Sequence, residues 1–288
     1  MNYQIEGNRA YIRFIKKYLE KNNIKKADET QNDNYYITSS RIPGKYCIEF
    51  RNFKGVDFFN KLETTKKLQD CDYYPPSLVV KKERDWNILE LDDDKYYYCK
   101  PKYGCQSKNI SVCVGKEFVI NQKLEYPFIV QDEIDSKLDN GRKVDYRVFV
   151  LYVKKDNKIS SYYSPNLLRR VCVDTVESRS PKSFFSFGDD CSKSVIENKG
   201  SELFECLKDA QKYIIPKFNS TNYSEIEYFI TGYDVIEDQY NKFWIMEINW
   251  DPNFFHYDCE KKFHKKIFED IINHIQRKEF SYFLPLEK

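Results

Sequence analysis

The feature that most constrains this chain is the run Phe243-Trp244-Ile245-Met246-Glu247-Ile248-Asn249-Trp250-Asp251-Pro252. Its β-branched and aromatic residues predict a strand, and the proline ends it. Alternation puts Trp244, Met246 and Ile248 on one face and Phe243, Ile245, Glu247 and Asn249 on the other. Apolar character on both faces marks a buried strand. Glu247 then interrupts an apolar face, and a buried carboxylate has to be paired, protonated or bound to a metal. A second apolar run over 226–236 precedes it, and the polar tip Glu237-Asp238-Gln239-Tyr240-Asn241-Lys242 between them predicts a hairpin. With a loop over 239–242, Asp238 faces Phe243 and Asp234 faces Glu247. Like charges placed opposite each other destabilise a sheet. A divalent cation with a preference for oxygen ligands, Mg²⁺ or Mn²⁺, reverses that sign. A lysine or arginine beside the pair does so equally well, and spacing alone does not choose between them.

A chain of 288 residues has room for one large domain or two to three subdomains. The break at Tyr74-Pro75-Pro76 and the runs around it divide it into 1–70, 71–130 and 131–288. With 47 basic against 45 acidic residues and a net charge of +2, nothing argues for nucleic-acid or membrane binding. No apolar run nears the ~18–20 residues of a membrane span. The nine cysteines are an odd number without a C-x-x-C pair, and no signal peptide is evident. Reduced thiols and a cytoplasmic location are expected. His256, His264 and His274 lack zinc-ligand spacing and are expected on a helix surface.

Apolar spacing predicts helices over 9–21, 58–68 and 203–214, and a final amphipathic helix through Phe263, Ile267, Ile271 and Ile275 that packs on a sheet. Short strands are expected over 35–37, 46–50, 77–80, 96–101, 110–114, 118–121 and 128–134. Asp92-Asp93-Asp94 reads as a solvated loop. Tyr96 to Pro101 brings Lys100 to a strand end, before a loop with one glycine, Gly104; alone this is a weak phosphate-site signal. Asn140-Gly141 is a turn dipeptide. The strand after it carries Lys143, Asp145 and Arg147 on one face, which continues as Phe149, Leu151 and Val153. A salt-bridged solvent edge and a cleft at the end of a buried sheet both produce such a face. Leu167-Leu168-Arg169-Arg170-Val171 adds cations, and the serine-rich stretch 178–194 predicts a long loop over a site.

Together these segments resemble the tubulin–tyrosine ligase-like family of ATP-grasp enzymes, in the family's order, over roughly 52–254. Asn52-Phe53-Lys54-Gly55 resembles the family's asparagine and glycine segment, and Lys100-Pro101 its phosphate-contacting lysine-proline. Val130-Gln131 resembles the end of its adenine-reading strand. Gly141 to Leu151 resembles G-x-K-F-D-x-R-x-x-x-L. Gly232-Tyr233-Asp234-Val235 and Met246-Glu247-Ile248-Asn249 resemble the G-x-D and L-E-x-N metal motifs.

The resemblance implies an α+β ATP-grasp fold, with nucleotide held between two α/β subdomains beside a small N-terminal subdomain. It implies ATP with Mg²⁺, or Mn²⁺, held by Asp234, Glu247 and Asn249. Lys100 then steadies the phosphates and Gln131 meets the adenine. Lys143, Asp145 and Arg147 line the cleft between nucleotide and acceptor, and Arg169 clamps a substrate carboxylate. The implied reaction joins a free amino acid to a carboxylate of an acidic protein acceptor, with tubulin a candidate, through an acyl phosphate. Two anions must meet in that reaction, so cations supply most of the stabilisation. The chain departs from the family in its loop after Lys100, which carries Gly104 where several glycines are usual. Two alternatives stand beside the ligase: an ATP-grasp kinase of a polyanionic small molecule such as an inositol phosphate, and a module that has kept the fold and lost turnover.

Overall fold

The computed structural model describes residues 2–5, 16–18, 20–21, 25–26, 34–38, 44–49, 61–103, 109–121, 124–156, 158–178, 192–196, 199–215, 224–249, 252, 258–277 and 279–287. The segment Asn52-Phe53-Lys54-Gly55, Gly104, residues 179–191 and His256 lie outside the described residues. The described residues of the first expected helix, 16–18 and 20–21, are helical.

The N-terminal strands β1 (Asn2–Ile5), β2 (Lys25–Lys26), β3 (Asn34–Thr38) and β4 (Gly44–Glu49) pair in parallel. Helix α1 (Lys61–Leu68) follows; residues 58–60 of the expected 58–68 lie outside the described residues. Five antiparallel strands then form a small sheet. They are β5 (Ser77–Val80), β6 (Tyr96–Pro101), β7 (Ser111–Val114), β8 (Glu117–Ile120) and β9 (Phe128–Asp132), in the order β5-β9-β6-β7-β8. Helix α2 (Glu83–Ile88) places Trp86 against one face, over Tyr97, Cys99, Phe128 and Val130. Alternation along β6 turns Tyr98 and Lys100 to the opposite face.

The large sheet is built on two 14-residue strands, β11 (Arg142–Lys155) and β15 (Ser224–Glu237), paired antiparallel. Both are long enough to share an edge among several partners. β11 takes β10 (Leu138–Asp139), β12 (Lys158–Tyr163) and β13 (Leu167–Val171); β14 (Ser192–Ile196) extends β13. β15 takes β4 along residues 224–229 and β16 (Phe243–Asn249) along residues 232–237. The N-terminal strands therefore continue the large sheet. The Asn140-Gly141 dipeptide closes the β10–β11 hairpin with φ values of 50° and 74°, which the asparagine and glycine accommodate.

Each face of the large sheet is covered by one long helix. Helix α3 (Ser201–Ile214) packs Leu203, Cys206, Leu207, Ala210 and Ile214 on the face of Val144, Tyr146, Val148 and Tyr233. Helix α4 (Asp258–Arg277) packs Phe263, Ile267, Ile271 and Ile275 on the face of Phe149, Leu151, Leu168 and Ile230, as the sequence pattern requires. The chain ends in β17 (Leu284–Pro285), paired with β12. The architecture is mixed α/β with largely antiparallel sheets. Among the described residues no helix is long and apolar enough to cross a membrane.

Candidate functional site

The hairpin forms with Asp234 opposite Glu247, but by a different route from simple alternation. Near the turn the register is Glu237↔Phe243 and Val235↔Ile245, and a β-bulge then shifts the ladder so that Asp234 meets Glu247. Asp238 does not face Phe243. Its carboxylate organises the turn, accepting from the Tyr240 and Lys242 amides at 2.8 and 2.9 Å and from the Trp244 indole at 2.8 Å. The extra residue, Met246, breaks the period-2 alternation. Ile245 and Ile248 consequently share the α3 side of the sheet, both in one core. Glu247 therefore does not interrupt the Phe243/Ile245 face. It joins Asp234, and Asn249 follows it two residues on.

Asp234 is 2 % exposed and faces α4. In the ladder Asp234 is opposite Arg147, and Asp145 is opposite Arg170, so all four side chains leave the same face of the sheet. Arg147 grips Asp234 with two bonds, Nε to Oδ1 and Nη2 to Oδ2 at 3.0 Å. Arg170 donates through Nε to Asp145 and through Nη2 to Asp234 Oδ1 at 2.7 Å. The Asn249 amide donates to Asp234 Oδ2 at 2.9 Å. Burial alone would raise the Asp234 pKa, but Arg147 and Arg170 outweigh it and hold the carboxyl below its ordinary range. In this arrangement arginines neutralise Asp234, and Lys61 on α1 neutralises Glu247 across 3.4 Å.

The Arg147 stem crosses β15 at Gly232. A Cβ there would come within 2.7 Å of Arg147 Cδ. The glycine of the G-x-D motif thus has a packing reason: it clears the path by which Arg147 reaches Asp234.

The small sheet faces this cluster with Tyr98 and Lys100. Lys100 is buried and donates to Gln131 and, at 3.2 Å, to the carbonyl of Met246, the residue the bulge inserts. Burial pushes its pKa down to about 8; Glu247 and Asp234 oppose that shift and Lys61 adds to it. Lys143 crosses in the other direction, from the large sheet to Glu133 and the Tyr98 hydroxyl, the latter at 2.7 Å. Burial works against its charge, but Tyr98 and Glu133 more than compensate and the ammonium sits above its ordinary value. A cavity of about 90 Å³ lies between the sheets, lined by apolar Ile110, Ile134 and Ile236 and by charged Lys100, Lys143, Asp145, Asp234 and Glu247.

Five of the expected residues, Lys100, Lys143, Asp145, Asp234 and Glu247, thus border one cavity. Arg147 and Asn249 touch Asp234 from its edge. Gln131 is fully buried behind Lys100, and its amide donates to Ser77 at 3.0 Å, so both of its ends are engaged within the small sheet. Arg169 is not in the cluster. Its register partner is Tyr146, on the α3 face, and it bonds Asp139 at 2.7 Å. One position along a strand reverses the face, so it is Arg170 that stands beside Asp145 and Asp234. The two described histidines also differ from expectation. His264 is 1 % exposed and packs against Phe149 and Phe263, because it shares the apolar face of α4. His274 is half-buried and its Nδ1 meets the Tyr228 hydroxyl at 3.0 Å.

No family model matches the chain. Among curated proteins it is similar to the tubulin polyglutamylase TTLL6 of Mus musculus, 19 % identical over a 324-residue alignment covering 90 % of this chain and 38 % of that protein. The Homo sapiens tubulin polyglutamylase TTLL6 is 23 % identical over 237 residues, covering 65 % of this chain and 25 % of that protein. This chain resembles the tubulin–tyrosine ligase-like family. It spans less than two fifths of the length of either of these relatives.

Two members of the cluster were not singled out by sequence. Arg170 was legible in principle, since parity in the β11–β13 pair assigns it to the face of Asp145. Lys61 was not, because its approach to Glu247 depends on where α1 docks. Among the described residues no three His, Cys, Asp or Glu side chains converge to hold a metal. Asp234 and Glu247 are opposite each other in the ladder and both border the cavity, and the Asn249 side chain touches Asp234. Two carboxylates and one side-chain amide are oxygen-bearing groups that could contribute to a Mg²⁺ shell otherwise completed by phosphates and water.

Proposed function

We propose that this chain is an ATP- and Mg²⁺-dependent ligase that joins an amino acid to a protein carboxylate through an acyl phosphate, on an ATP-grasp fold. The similarity to two tubulin polyglutamylases supports glutamate as the amino acid and tubulin as the acceptor. The observation that carries the reading is the opposed pair Asp234 and Glu247, with Asn249 beside them, in a cleft that Lys100 of the small sheet and Lys143 of the large sheet also border.

In this reading Asp234, Glu247 and Asn249 hold Mg²⁺, which when bound shields the charge of the transferring phosphates. Lys100 and Lys143 supply the remaining positive charge, and both side chains are largely buried, where their fields are stronger than in bulk solvent. Asp145, through Arg170, keeps Asp234 oriented. The apolar walls at Ile110, Ile134 and Ile236 offer a slot for a flat base. The test is ADP release from ATP with glutamate and tubulin, compared between the wild type and Glu247→Ala. A loss of at least ~100-fold is expected from removing a group that stabilises transition-state charge. Undiminished turnover in Glu247→Ala ends the proposal.

A second reading, a binding module without turnover, is favoured by the engagement of Asp234 with two arginines. Nucleotide binding by the wild type without ADP release is the outcome that selects it. A phosphorylated small polyanion in place of an amide product selects a kinase.

A further inference from the structure

The Asp234 carboxylate accepts four hydrogen bonds, two on each oxygen, from Arg147, Arg170 and Asn249. A carboxylate offers about four acceptor positions, so this one is saturated. A cation reaches it only if a donor leaves. The two guanidinium groups differ in how readily they can go. Arg170 is 5 % exposed and bridges Asp145 and Asp234, so withdrawing it leaves two buried carboxylates without their shared cation. The Arg147 side chain is 12 % exposed and its ion pair is with Asp234. Its withdrawal frees one position on each oxygen while Arg170 and Asn249 stay in place. A phosphate group is the natural exchange partner, because a guanidinium binds phosphate in the same forked geometry as a carboxylate.

We infer that Arg147 gates Asp234: it occupies the carboxylate until a polyphosphate draws it away, so that the divalent cation and the polyphosphate bind together and the cation alone does not. Arg170 is the fixed strut, a positioning residue, and Gly232 gives Arg147 its path. The inference rests on the nucleotide reading of the cleft and adds an order to it.

The test uses the full chain, Mn²⁺ as the probe and inorganic triphosphate as the anion. Protein-bound Mn²⁺ is read by water-proton relaxation enhancement. The nucleotide-free wild type is expected to take up Mn²⁺ weakly, and to take it up readily once triphosphate is added. Arg147→Met is expected to bind Mn²⁺ alone at least ~10-fold more tightly, corresponding to ~1.4 kcal/mol. Adding Asp234→Asn to Arg147→Met should abolish the gain. Gly232→Ala crowds the Arg147 stem without deleting a charge, and should give a smaller gain in the same direction; it carries the test if Arg147→Met does not fold. Equal Mn²⁺ affinity in wild type and variants, whether strong or absent, overturns the gate. The Mn²⁺-only arm contains no ATP or acceptor. A gain in Arg147→Met beside a wild type that releases no ADP with glutamate and tubulin therefore keeps the gate and removes the ligase reading.

Discussion

Two carboxylates in this protein are equally buried, Asp234 and Asp270, each 2 % exposed. Each accepts four hydrogen bonds. Those of Asp234 come mainly from two guanidinium groups. Those of Asp270 come from the Ser281 amide and hydroxyl, both at 2.7 Å, and from the Tyr282 and Phe283 amides at 3.0 and 2.8 Å. Asp270 thus ties the C-terminal turn to α4 with neutral donors held by the chain. No ligand competes for them without unfolding the turn. Three of the four donors to Asp234 are guanidinium N–H groups on side chains, and an incoming anion competes for the more exposed of the two, Arg147. Equal burial and an equal number of bonds therefore give a fixed tie in one region and an exchangeable one in the other.

The largest effect expected of this contrast is on stability. Asp234→Ala leaves the buried charges of Arg147 and Arg170 undercompensated and should cost about 4 kcal/mol in urea unfolding. It should also eliminate Mn²⁺ uptake in the presence of triphosphate. Asp270→Ala removes four bonds, three of them to backbone amides, and should cost about 3 kcal/mol while leaving Mn²⁺ uptake unchanged. If Asp270→Ala impaired metal uptake as much as Asp234→Ala, the distinction between the two regions would fail.

A smaller effect sharpens the comparison through pH. His264 lies on α4 close enough for Arg147 to act on its charge, and burial, with Arg147 adding to it, lowers its pKa from 6.5 to about 3. The unfolded chain therefore binds a proton that the folded chain refuses. Stability falls as pH drops below 6.5, by about 2 kcal/mol at pH 5. The depressed Asp234 carboxyl acts lower, its contribution being lost only as pH falls below the ordinary value of 3.8. Unfolding free energies for His264→Phe should be flat between pH 6.5 and 5. A wild-type slope retained in that variant would assign the acid response to another group.

Much of the site was legible because strand parity is local. Lys143, Asp145 and Arg147 share a face in any straight strand, and the hairpin from β15 to β16 brings Asp234 near Glu247 in any close register. The apolar stripe of α4 likewise announced its packing. Reading stopped where a single residue changes parity. The Met246 bulge moved Glu247 to the opposite face from Ile245, and a one-position difference separated Arg170, in the cluster, from Arg169, bonded to Asp139.

The sequence by itself determined the strands that carry the site, the hairpin, the helix stripes and the set of charged residues available to a cleft, since these follow from periodicity and turn chemistry within a few residues; the short strands Asn2–Ile5 and Ser192–Ile196 came from the tertiary structure. The tertiary structure alone decided how those charges pair: Asp234 with two arginines, Glu247 with Lys61, Lys100 with the carbonyl of Met246. A carboxylate accepts any cation within reach, and which cation is within reach depends on how two sheets and a helix dock across long stretches of chain.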